Sequence, residues 1–172
     1  PHSMVTDSLD NLYVMGSTRS SDFPVSWNAY DATFNGDYDF FVTKFNATGT
    51  TMVGTYIGGS GLDAVGADRS NTPVDNFPLI YNYADEFRGE IITDQKNIYI
   101  AGVTYSLNFP KTGTMVYNGK SEGVVFSLNN QLTTLNWSHT YGGSGYDALY
   151  GVALGKSSDV FVSGGSSSSD LQ

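Results

Sequence analysis

The chain repeats itself, and the repeat limits the folds open to it more than any other feature. Asn11-Leu12-Tyr13-Val14-Met15-Gly16 returns as Asn97-Ile98-Tyr99-Ile100-Ala101-Gly102 and again as Asp159-Val160-Phe161-Val162-Ser163-Gly164. A Ser/Thr-rich segment follows each copy, at 17–24, 103–110 and 165–172. The first two of these end in Phe23-Pro24 and Phe109-Pro110. Residues 34–46 (FNGDYDFFVTKFN) are then answered by 117–129 (YNGKSEGVVFSLN), and 55–64 (TYIGGSGLDA) by 140–149 (TYGGSGYDAL). Blocks kept in one order mark stacked supersecondary units, each burying its apolar face only against a neighbour.

The copies are not evenly spaced. From Asn11 to Asn97 is 86 residues, whereas Asn97 to Asp159 is 62. Aligning 146–155 with 84–93 sets Asp85 opposite Asp147 and Gly89 opposite Gly151, leaving 62–83 as an insertion. A second alignment pairs Asp63 with Asp147 and moves the insertion downstream. The units are then read as 11–96, 97–158 and a partial 159–172.

Within one unit four runs read as strands: 98–104, 123–129, 135–141 and 150–154. Twelve Tyr and ten Phe, interspersed with Gly, Asn, Asp and Ser clusters, belong to a strand-rich chain. No window keeps a 3.6-residue apolar period, so the expectation is all-β. Phe40-Phe41-Val42 and Val124-Val125-Phe126 are apolar on both faces, as strands covered from both sides must be. Four strands per unit of about 60 residues, stacked sheet upon sheet, point to a β-propeller with blades of four antiparallel strands. The competing architecture is a β-sandwich. Two full units and a partial one fall short of a closed ring, so a fragment of a larger propeller in a longer multidomain chain is expected. Residues 1–4 (PHSM) are read as vector-derived, with the repeat domain spanning 5–172.

Seventeen acidic against eight basic residues give a net charge of −9, which repels nucleic acid and anionic membranes. There is no cysteine, hence no disulfide or thiolate metal site. No apolar run reaches bilayer length and no signal-peptide pattern opens the chain, so direct membrane insertion is not expected.

Gly142-Gly143-Ser144-Gly145, Asp147, Gly151 and the following Asp159-Val160-Phe161-Val162-Ser163-Gly164 resemble the SBBP repeat, a bacterial β-propeller repeat family. Asn11-Leu12-Tyr13-Val14-Met15-Gly16, Ser17-Thr18, Ser20 and Asp22-Phe23-Pro24 are similar to its second half. Asn108 stands where the family has Asp before Phe-Pro, and Leu171-Gln172 where it has Phe-Pro. The resemblance implies a secreted or outer-membrane-associated surface protein. Such repeats occur in large exported bacterial proteins, including gliding-motility and surface-secretion proteins of Bacteroidetes, where adhesion and protein binding are the expected roles.

The glycine loops lack the third glycine of a dinucleotide fingerprint and the lysine of a P-loop. Gly58, Gly59, Gly61, Gly142, Gly143 and Gly145 are therefore structural turn residues, expected to adopt positive φ. Asp85 and Asp147 are expected to fix Asx-turns beside them. The segment 31–39 supplies carboxylates but not the D-x-[DN]-x-[DN]-G-x5-E order of an EF-hand. No cofactor is indicated, and calcium is the one metal to test for. His2 and His139 are the only histidines, and no G-x-S-x-G is present.

Aromatic residues outside the strands, Trp27, Tyr30, Tyr38, Phe77, Tyr81, Tyr83 and Tyr105, are the candidate contacts for a protein or polysaccharide partner. The sequence thus favours a non-enzymatic binding module. A propeller enzyme acting on glycans through channel-lining carboxylates and a structural spacer are the alternatives.

Overall fold

A computed structural model describes residues 1–50, 52–64, 89–113, 117 and 120–171. The regular elements among them are all strands, as the aromatic and β-branched runs require. β1 (Ser3–Thr6), β2 (Leu12–Thr18), β3 (Asp39–Phe45) and β4 (Met52–Ile57) form one antiparallel meander in that order. Ser3 and Met4 pair with Met15 and Val14, so the first residues are part of this sheet.

The second sheet repeats the plan with a divided first strand. β5 (Asp63–Ala64) and β6 (Glu90–Thr93) both pair with β7 (Asn97–Thr104), end to end along it. β7 pairs in turn with β8 (Glu122–Asn129), and β8 with β9 (Leu135–Tyr141). A third sheet begins with β10 (Asp147–Leu154) and β11 (Val160–Ser166).

This pairing decides between the two alignments of the repeats. Asp63 lies opposite Thr104 as Asp147 lies opposite Ser166, so Asp63, not Asp85, is the counterpart of Asp147. The extra residues therefore enter after Ala64, within the first strand of the second sheet, rather than at 62. Phe77, Tyr81, Tyr83 and Asp85 lie outside the described residues.

The three sheets stack face to face, with β6 between β1 and β10. Strand alternation sorts the middle sheet into two covered faces. Ile98, Ile100, Val124, Phe126 and Leu128 turn toward the first sheet, meeting Tyr13, Met15, Phe40, Val42 and Ile57. Tyr99, Ala101 and Val125 turn the other way, onto Leu149 and Val152. That is why 124–126 carries no polar residue. Phe126 anchors the larger core, with its ring centroid 5.5 Å from Phe40 and 6.0 Å from Phe109. Phe40 also explains Gly102: a Cβ there would lie 2.6 Å from the Phe40 Cζ.

The outer edges of the first two sheets are not left open. The segment between β2 and β3 runs along β4, with Ser26 N–H donating to Gly54 O (2.9 Å) and Tyr56 N–H to Asp31 O (3.0 Å). Between β7 and β8 the chain does the same for β9, where Thr112 N–H donates to Ser138 O (3.0 Å). Long connections thus cap edges that would otherwise offer unpaired backbone to other chains.

Candidate functional site

The two GGSG turns join one sheet to the next, and their amides are already occupied. Gly59 N–H donates to Asp63 Oδ2 (2.5 Å), Ser60 N–H to Asn108 Oδ1 (2.8 Å) and Gly61 N–H to Ser106 Oγ (2.7 Å). At the second turn Gly143 N–H donates to Asp147 Oδ2, Ser144 N–H to Asp170 Oδ1 and Gly145 N–H to Ser168 Oγ, each 2.8 Å. Consecutive N–H groups in a turn make an anion-holding concavity. Here the anion is the protein's own carboxylate. Asn108 serves here as Asp170 does at the second turn: one side-chain oxygen accepts from both the N–H and the Oγ of the turn serine.

These bonds latch neighbouring sheets. The turn 58–61 follows β4 of the first sheet, whereas Ser106 and Asn108 follow β7 of the second. Asp63, at the start of β5, also accepts from Thr104 Oγ1 (2.5 Å) and Ser106 Oγ (2.7 Å).

None of the six turn glycines has a positive φ, contrary to the expectation from sequence; among the described glycines only Gly49 and Gly113 do. Space is the constraint instead. A Cβ on Gly59 would sit 2.6 Å from Ser106 Cβ, and one on Gly143 2.5 Å from Asp170 Oδ1. A Cβ on Gly61 or Gly145 would press on the same Ser/Thr-rich segments. Above Gly58 lies the Asp39 carboxylate, and above Gly142 both Glu122 and Asp147.

A buried acid at the head of β3 and β8 is therefore a second element common to both junctions. Asp39 and Glu122 are buried, as are Asp63 and Asp147. Burial, with the Asp63 and Asp31 carboxylates nearby, pushes Asp39 up to about 6 despite a hydrogen bond from Asn35 N–H. Burial likewise raises Asp63 above the usual carboxylate range, against three donors that oppose the shift. Asp39 Oδ1 and Asp147 Oδ1 have no hydrogen-bond partner.

At the opposite end of the sheets an Asp locks each first hairpin. Asp7 accepts from the N–H groups of Leu9 and Asn11, from Asn11 Nδ2 and from the Tyr13 hydroxyl. Asp94 does so from Lys96, Asn97, Asn97 Nδ2 and Tyr99. Sequence reasoning misses these residues. The signal is an Asp three or four residues before each Asn-x-Tyr.

The aromatic candidates do not form one patch. Trp27 is 95% exposed on the segment that covers β4. Tyr30, on the same segment, is half-buried against the core, and its N–H donates to Leu132 O (2.9 Å). Tyr38 lies at the GGSG end with the Arg19 guanidinium 4.8 Å from its ring centre. Tyr105 is half-buried there, and burial pushes its hydroxyl up to about 12. Trp137 packs between Tyr99 and His139, which explains the histidine as a strand residue. No three His, Cys, Asp or Glu side chains gather as metal ligands among the described residues. No helix is long and apolar enough to cross a membrane among them.

Residues 1–24, covering β1, β2 and the first Ser/Thr-rich segment, match the family model of the SBBP beta-propeller repeat. No curated protein matches the chain.

Proposed function

We propose that this chain is a non-enzymatic β-propeller module of a secreted or cell-surface bacterial protein, binding a protein or polysaccharide through its outer rim. The observation that carries this reading is Trp27. An indole that is 95% exposed costs solvation, yet the segment bearing it is held in place. Ser26 N–H donates to Gly54 O, Gly54 N–H returns to Ser26 Oγ (3.1 Å), and Ala29 N–H closes onto Ser26 O (3.1 Å). An exposed tryptophan on a held backbone presents a large apolar contact, with only its own two side-chain torsions left to order on binding. Flat apolar rings of this kind stack on sugar rings or fill a partner's pocket.

The acidic groups support binding over hydrolysis. A glycosidase needs two carboxylates flanking an accessible bond. The carboxylates brought together here, Asp39 with Asp63 and Glu122 with Asp147, are buried beneath the GGSG turns, and Asp63 and Asp147 each accept from a turn amide.

The test uses the tryptophan as its own reporter. In a Trp137→Phe background, fluorescence is titrated with neutral and basic polysaccharides (dextran, laminarin, chitosan) and with immobilised peptide libraries. Saturable quenching by one class is expected, and binding of that class, read by calorimetry, is lost in Trp27→Ala with the fold intact by circular dichroism. Unchanged binding after Trp27→Ala, or no ligand in either class, rejects the rim as the site.

A further inference from the structure

The connection ahead of β3 reads Asp31-Ala32-Thr33-Phe34-Asn35-Gly36-Asp37-Tyr38-Asp39. Calcium loops of the EF-hand type take side-chain oxygens at positions 1, 3, 5 and 9, a backbone carbonyl at 7, and glycine at 6. Counted from Asp31, those places hold Asp31, Thr33, Asn35, Asp39, Asp37 and Gly36. The full EF-hand signature is missed because position 3 is a hydroxyl and position 12 is Val42, a core residue of β3.

The structure brings the side chains of Asp31, Thr33 and Asn35 together. Thr33 Oγ1 is 2.7 Å from Asp31 Oδ1 and 3.3 Å from Asn35 Oδ1, and Asn35 Nδ2 is 2.7 Å from Asp31 Oδ2. A separate observation points to a ligand. Asp39 is fully buried and reaches into the loop, with Oδ2 2.9 Å from Asn35 N. Its Oδ1 has no hydrogen-bond partner and sits over the bare α-carbon of Gly58. No lysine, arginine or histidine pairs with Asp39 among the described residues, while Asp31 and Asp63 add negative charge beside it. A buried carboxylate with an unsatisfied oxygen is costly unless a cation compensates it.

We infer that residues 31–39 form a divalent-cation site of calcium type, with oxygens from Asp31, Thr33, Asn35, Asp39 and the Asp37 carbonyl. The second copy of the loop supplies the contrast. Thr114 and Val116 stand at positions 1 and 3, and Lys120 at position 7. The Lys120 ammonium lies 4.9 Å from the Tyr146 ring centre, a fixed positive charge that this copy carries at the same end of the sheet. The site is thus specific to the first repeat. With two carboxylates, its dissociation constant belongs in the range of about 10⁻⁴–10⁻³ M found for extracellular modules.

Calorimetric titration of the chelator-treated 172-residue chain with calcium chloride to about 10 mM tests this, since that concentration exceeds the expected constant. Terbium luminescence sensitised by Tyr30 or Tyr38 gives a second readout. One saturable site is expected, weakened at least tenfold in Asp31→Ala/Asn35→Ala, whose side chains lie outside the strands. Thr33→Ala, at an exposed position, serves if the double variant fails to fold, and weakens binding about tenfold. Absence of saturable binding in the unaltered chain overturns the proposal. So does undiminished affinity in a folded variant.

Discussion

Replacing Asp63 by alanine is the sharpest test of the latch between sheets. The carboxylate accepts from Gly59 N–H, Thr104 Oγ1 and Ser106 Oγ, all in buried surroundings. A hydrogen bond to a charged group contributes about 1.5–3 kcal/mol net, and a buried donor left without a partner costs about 1–3 kcal/mol. Against this stands the cost of burying the charge, visible in the raised pKa of Asp63. The balance for Asp63→Ala is a loss of about 3–5 kcal/mol, a large share of the ~5–15 kcal/mol that a domain possesses. Asp63→Asn keeps the shape, accepts from Gly59 and Ser106 through its one oxygen, and lets the Thr104 hydroxyl rotate to accept. Its cost is about 1 kcal/mol. Asp147→Ala removes two bonds, from Gly143 N–H and Ser168 Oγ, and costs about 2–3 kcal/mol. Urea unfolding at neutral pH, followed by circular dichroism, measures all three. With a slope near 2 kcal/mol/M, Asp63→Ala lowers the midpoint by about 2 M. The reasoning fails if alanine and asparagine at 63 cost the same, or if Asp147→Ala costs more than Asp63→Ala.

Three further outcomes concern residues away from the latch. Asp7 and Asp94 are held below the usual carboxylate range: burial opposes the shift, but the donors of each turn outweigh it. Their contribution is therefore complete above the unfolded value of 3.8 and is lost as pH falls through the lowered folded values. An Asp7→Asn/Asp94→Asn variant shows a flatter decline of urea midpoint between about pH 5 and 2.5. Phe126→Ala opens a hole between Phe40 and Phe109 and costs about 3–5 kcal/mol by thermal or urea melting. Phe161→Ala, at a residue 60% exposed, stays within about 0.5 kcal/mol.

The strands are legible because covering a strand on both faces leaves a mark on every residue. Val124-Val125-Phe126 has no polar member since its two sides meet different sheets. The glycines are legible as turn residues, but the cause is not. Positive φ and lack of space both demand a missing Cβ, and only the position of Ser106 over Gly59 separates the two. The place of the insertion depends on which Asp faces Thr104, a pairing between residues 41 apart in the chain. The covering of β4 by residues 26–31 is hidden for the same reason, since neither segment carries a sign of the other. Counting carboxylates alone undercounts the loop 31–39, where a hydroxyl and an amide also gather on Asp31.

The latch has a consequence for how such a chain can grow. Each junction draws its turn from one unit and its Ser and Asn or Asp from the next, using equivalent atoms at Gly59–Gly61 and Gly143–Gly145. A unit duplicated in the gene thus arrives with both halves of the fastening and fits its own parent. The extra residues after Ala64 fall beyond Asp63, past the fastening, so the first strand can take on new sequence without altering how neighbours join. Duplication sets the length of the array, and insertion behind the latch is where one copy can diverge from the rest.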